Sequence, residues 1–73
     1  MTLSEAPLGT SVRIHSLRAQ PEVSQRLREL GLCEHAVVCC VMRGHGNIIC
    51  AIRNTRIGLD RRLASTILVS SDQ

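Results

Sequence analysis

The run Ala36-Val37-Val38-Cys39-Cys40-Val41-Met42 is apolar at every position, followed by Gly44-His45-Gly46-Asn47 and then Ile48-Ile49-Cys50-Ala51-Ile52-Arg53. Val and Cys dominate the first run, which is too short for a typical helix, so it reads as a strand covered on both faces. Two glycines in four residues make the intervening segment a loop, and the pair of runs predicts a β-hairpin over 37–53. Downstream, Asn54-Thr55 offers a two-residue connection into a short strand Arg56–Asp60, with Ile57 and Leu59 inward. Arg61–Ser65 predicts one helical turn with Leu63 and Ala64 buried. Ile67-Leu68-Val69 predicts a closing strand, and Ser70 to Gln73 a frayed polar tail.

Upstream, Pro7-Leu8-Gly9-Thr10 marks a turn, and Ser11–Leu17 alternates with Val12 and Ile14 on one face. Pro21 suits the first position of a helix, where its missing N–H costs nothing, and Glu22 suits the positive helix start. Val23, Leu27 and Leu30 follow at the spacing of one helical face, and Glu22 and Arg26 are placed for an i, i+4 ion pair. Gly31 stands where a left-handed residue ends a helix, which lets Leu32 close back onto Leu27. The helix is expected over about Pro21 to Leu30. The chain therefore reads as mostly β: about five short strands, with one short helix inserted after the first. Five short strands must protect their edges, and partial closure into a small barrel does so.

Residues 1–73 have room for a single domain. Apolar residues make up 44% and aromatics 0%, so one core must form from aliphatic side chains and thiols. The longest apolar run falls far below the ~20 residues of a membrane span. Met1 to Leu8 carries Glu5 and no apolar export segment, so the protein is expected in the cytoplasm, not embedded in a membrane, with its four cysteines reduced. The net charge of +3 comes from nine arginines, no lysine and six acids, spread along the chain without a basic block.

These residues exclude several functions. No nucleophile elbow, Gly-rich phosphate loop with Lys, or close carboxylate pair is present, so no catalytic residue is assigned and no enzymatic activity is expected. Single-strand nucleic-acid readers and Pro-rich-peptide grooves both rely on aromatic rings, which this chain lacks, so no nucleic-acid partner is expected. Cys33 and His35 are the candidate metal ligands, close together in a predicted loop. No four-ligand spacing accompanies them, and adjacent Cys39 and Cys40 point to opposite faces of a strand. No cofactor is therefore assigned, although Fe(II) or another transition metal has soft ligands available here.

Leu27-Arg28-Glu29-Leu30-Gly31-Leu32, set after a strand that opens at Leu8-Gly9, resembles the signature of the ferrous iron transport protein A (FeoA) family. Arg56-Ile57-Gly58-Leu59 and Leu63-Ala64-Ser65-Thr66-Ile67-Leu68-Val69 resemble its closing segment, so the likeness runs from about Leu3 to Val69. The resemblance implies an SH3-like β-barrel with the helix after the first strand. It further implies an accessory role in bacterial ferrous iron uptake, with the GTP-dependent transporter FeoB as partner at the cytoplasmic membrane face. Where the family usually has Pro-Gly, this chain has Glu34-His35, which predicts a looser loop. An apolar patch edged by the helix end is the expected contact, with Arg28, Leu32 and Met42 as partner-binding candidates. A small metal-binding or iron-sensing protein and a DNA-associated regulatory domain are the alternatives, and weak self-association stays open.

Overall fold

The computed structural model describes residues 1–72. Five strands form one antiparallel sheet: β1 (Ser11–Leu17), β2 (Val37–Arg43), β3 (Asn47–Ile52), β4 (Thr55–Asp60) and β5 (Ile67–Ser71), in the spatial order β4-β3-β2-β1-β5. A nine-residue helix α1 (Pro21–Glu29) joins β1 to β2, and a single helical turn α2 (Arg61–Ala64) joins β4 to β5. A 3-10 turn, Leu3–Glu5, precedes β1. The mostly β architecture, with a short helix after the first strand, is as the sequence predicts.

The sheet curls because two strands carry an extra residue. The register of β2 on β3 slips between Cys40 and Met42, and that of β1 on β5 slips between Ile14 and Ser16. Each such bulge bends its strand and increases the local twist. The bulges also reassign side chains. Val38 and Cys40 point into the core, and strict alternation would send Met42 after them; the extra residue instead leaves Met42 57% exposed. On β1 the extra residue brings Leu17 opposite Ile67, so Leu17 packs against the core after Val12 and Ile14.

β4 and β5 are the two outer strands of the order and do not pair, so the barrel is not closed by hydrogen bonds. The gap is filled by α2, which packs on β4, β3 and the 3-10 turn, and by the 3-10 turn, which packs on β5. Leu3 and Ala6 are fully buried there. Glu5 accepts hydrogen bonds from the backbone N–H (2.9 Å) and hydroxyl (3.0 Å) of Thr2, and the Thr2 amide holds its carboxyl below the usual range. This ordered start is missed by the sequence reading above. The core between sheet, helices and plug consists of aliphatic side chains plus Cys40 and Cys50, which face each other across β2 and β3.

Several boundaries shift for identifiable reasons. The β3–β4 connection is Arg53-Asn54, because Thr55 already pairs with Ile52; Arg53 takes the left-handed conformation that the turn demands (φ 55°). Ser70 and Ser71 are not frayed: they pair with Arg13 and Val12, and Asp72 forms an ion pair with Arg13 at 2.7 Å. The expectation for Gln73 lies outside the described residues. The helix buries a different face from the one expected. Leu27 is buried, together with Ser24, whose hydroxyl donates to the Ala19 carbonyl at 3.0 Å, whereas Val23 and Leu30 are 36% and 48% exposed. A nine-residue helix lying against a curved sheet touches it along one narrow stripe, and here Ser24–Leu27 forms that stripe. The Glu22–Arg26 ion pair is not made.

Candidate partner-binding surface

At its C-terminal end α1 closes as a Schellman motif. The Leu32 N–H donates to the Leu27 carbonyl (2.8 Å) and the Gly31 N–H to that of Arg28 (3.0 Å). Gly31 has φ 97°, so the backbone selects glycine, while a Cβ there would make only an ordinary contact with Ile52 Cδ1 at 3.4 Å. The reversal drops Leu32 into the core with no exposed surface. Leu32, expected to contact a partner, is thus unavailable for one; Leu30, expected inside, is the exposed leucine of this corner.

The chain then turns at Cys33–Ala36, closed by the Ala36 N–H on the Cys33 carbonyl at 3.1 Å. His35 adopts φ 76°. The turn is therefore tight and not the looser loop expected, with His35 taking the left-handed position that glycine would fill. Three hydrogen bonds tie it to β1: His35 N–H to the Ile14 carbonyl (2.8 Å), Ile14 N–H to the Ala36 carbonyl (2.8 Å), and Arg13 Nη1 to the His35 carbonyl (2.9 Å). A left-handed non-glycine residue costs about 1–2 kcal/mol, and glycine's extra unfolded freedom returns about half of that. His35→Gly should therefore stabilise the fold by about 0.5–1 kcal/mol, seen as a raised denaturant midpoint with unchanged m-value.

Arg28 bridges helix and turn. Its Nε and Nη2 donate to the two carboxylate oxygens of Glu34 at 3.2 and 2.9 Å, a forked pairing that fixes both orientation and distance. The Arg28 hydrogen bond pulls the Glu34 carboxyl down to about 2, and the same bond raises the Arg28 guanidinium. A carboxyl depressed from ~4.3 in the unfolded chain contributes stability above that pH, and the contribution is lost as pH falls towards about 2. Between pH 5 and 2, Glu34→Gln should thus lose less stability than the parent, measured by denaturant midpoints; equal losses would show that the pair adds nothing.

Arg28, Leu30, Cys33, His35, Val37 and Arg53 line one groove of about 810 Å³ between the helix end and the β3–β4 turn. Leu30 and Val37 are its exposed large apolar side chains, at 48% and 37%. Of the candidates named above, the structure brings Arg28, Cys33 and His35 together here and leaves Met42 elsewhere. Met42 lies at the other end of β2, on the order of 15 Å along the strand from Val37, on the outer face opposite Ile49. Leu30 and Val37 were missed by the sequence reading as contact residues: helical periodicity puts Leu30 inside, and an all-apolar strand does not show which of its faces is covered.

All four cysteines are free thiols. Cys40 and Cys50 are fully buried, and burial pushes the Cys50 thiol up to about 11, which suppresses the reactive thiolate. Cys33 and Cys39 are half-buried. Among the described residues no group of three or more His, Cys, Asp and Glu side chains is arranged to hold a metal ion. Nor is any helix among them long and apolar enough to cross a membrane.

The fold and sequence have clear relatives. A FeoA protein from Chlorobium tepidum superimposes with a TM-score of 0.92 at 27% identity, over 100% of this chain and 71% of that one. Iron(II) transport protein A from Clostridium thermocellum gives 0.89 at 28% identity, over 99% of this chain and 46% of that one. The FeoA of Stenotrophomonas maltophilia, solved with zinc and described as a prokaryotic SH3 domain protein, gives 0.84 at 33% identity, over 96% of this chain and 89% of that one. No curated protein matches the chain by sequence. The FeoA domain model matches residues 1–71, almost the whole chain, and together with the 33% identical relative it shows that the protein belongs to the FeoA domain family.

Proposed function

We propose that the protein is a non-enzymatic, cytoplasmic accessory factor that binds the ferrous iron transporter FeoB and modulates uptake, using the groove beside the helix end. Family membership supports the iron-transport role, and the Stenotrophomonas relative has been put forward as a ferrous iron transport activating factor. One observation carries the surface assignment: Leu30 and Val37, exposed on a domain with little apolar area to spare, line the same groove. The Arg28–Glu34 bridge ties the helix end to the turn at the wall of that groove. Arg28 belongs to this contact. Met42, remote from the groove, provides a second and smaller one.

A pull-down of detergent-solubilised FeoB, with and without guanine nucleotide, tests the reading. Leu30→Glu should weaken capture about tenfold or more, as truncating an interface anchor does, while Leu8→Glu, at an equally exposed leucine, should leave it unchanged. Full capture by a folded Leu30→Glu protein would remove the groove from the interface.

A second reading rests on Cys33 and His35 opening onto the same groove, and on the zinc bound by the Stenotrophomonas relative. Anaerobic Fe(II) titration followed by NMR tests it. Stoichiometric shifts confined to residues 33–36 would support a metal role, and their absence would end it.

A further inference from the structure

We infer that a second groove, formed by the end of β1, the start of α1 and α2, is a docking site for an acidic peptide segment of a partner protein. It is an open groove of about 770 Å³ and shares no residue with the groove beside the helix end. Arg18, Arg26 and Arg62 line it, all exposed.

The charge inventory makes this convergence informative. Of the nine arginines, Arg13 and Arg28 are committed to ion pairs with Asp72 and Glu34, Arg43 donates to the Ala6 carbonyl, and the side chains of the other six have no partner among the described residues; three of those six line this one groove. Arg18, Arg26 and Arg62 form no ion pair among the described residues, although Glu22 and Asp60 line the same groove. The Asp60 carboxylate instead accepts the Arg62 backbone N–H at 2.6 Å, as the N-cap of α2. Arg26, one turn from Glu22 on the helix, does not pair with it. Three guanidiniums thus stand unpaired, against the two carboxylates of Glu22 and Asp60, beside Ala19, Val23 and Leu63, of which Val23 is 36% exposed.

The form of the groove selects among anions. Arginine forks match carboxylates as well as phosphates. Glu22 and Asp60 within the lining would repel the dense, regular charge of a nucleic-acid backbone, and no aromatic is present for a base to stack on. Carboxylates spaced along a peptide can meet the guanidiniums and avoid the two acids, while an apolar side chain between them covers Val23 and Leu63. Inorganic phosphate would use the arginines and leave those two side chains uncovered.

The test is an NMR titration of the isotope-labelled full chain with a terminally blocked peptide, Glu-Leu-Glu-Glu-Leu-Glu. Saturable shifts at Ala19, Val23, Leu63 and Thr66 are expected, weakening as salt rises. Arg26→Glu with Arg62→Glu should reduce affinity about tenfold or more, and both positions are exposed, so the fold is retained; Arg26→Gln alone, giving a smaller loss, checks this independently. Leu30→Glu should leave the peptide's affinity unchanged, which separates this site from the FeoB-binding groove. The inference is overturned if the peptide produces no shifts, if a lysine-for-glutamate analogue binds equally well, or if inorganic phosphate or a single-stranded oligonucleotide saturates the same residues more tightly than the peptide.

Discussion

Replacing Leu32 by alanine is expected to cost about 2–5 kcal/mol, the range for deleting a fully buried leucine from a core that relaxes incompletely. Leu32 has no exposed surface, and its backbone N–H is the closing bond of the Schellman motif. Its side chain fills the corner between the helix end and the sheet. A domain of this size holds about 4–11 kcal/mol in total by the usual scale of 0.05–0.15 per residue, and its small core puts it towards the lower end. The substitution therefore removes a large share of the stability, with a fall in Tm on the order of 10–30 °C. Leu30→Ala, two residues earlier, should stay within about 0.5 kcal/mol because half of that side chain is already in water. The two variants are compared by thermal and denaturant unfolding. Equal losses would contradict the packing of this corner.

The contrast between these leucines shows where sequence reading stops. Helical spacing groups Val23, Leu27 and Leu30 on one face, and the Gly31 stop signal places Leu32 after the helix. Both inferences are correct about the backbone: the helix ends as expected and the two capping hydrogen bonds form. What periodicity does not contain is the angle at which a short helix meets the sheet, which here turns Val23 and Leu30 out and makes Ser24 the neighbour of the core. Met42 fails for a related reason. Alternation along β2 is legible until one extra residue shifts the phase, and an all-apolar strand gives no local sign of where that residue falls. His35 is a different case, since only the backbone conformation reveals that a tight turn survives without glycine. The fold class and element order were readable because strands, turns and helix stops are local signals. The groove was not, because it is built by Leu30, Val37 and Arg53 from three separate elements.

Deleting residues 1–6 should abolish the cooperative unfolding transition, and Leu3→Ala alone should cost about 2–5 kcal/mol. A segment with no long apolar run looks dispensable in sequence, and domain ends are usually tolerant of loss when their backbone is solvated. These residues are bound along their length. The Val69 N–H donates to the Met1 carbonyl at 2.9 Å, Thr2 bridges Leu68, and Arg43 reaches the Ala6 carbonyl from the far end of β2. Leu3 and Ala6 are fully buried, and with α2 they fill the space that β4 and β5 leave between them. Their removal would expose Ala64, Ile67 and Val69 to water and uncover two unpaired strand edges, the hazard that a small barrel exists to avoid. Leu8→Ala, at a site 52% exposed, is the matched control and should change stability by no more than about 0.5 kcal/mol. Amide exchange gives a second readout. In Leu3→Ala, protection should fall first in β5 and α2, the elements against which the plug packs, while the β2–β3 ladder around Cys40 and Cys50 keeps its protection longest. Uniform loss across all five strands would instead mean that β5 and α2 open only together with the rest of the sheet, in one global unfolding step.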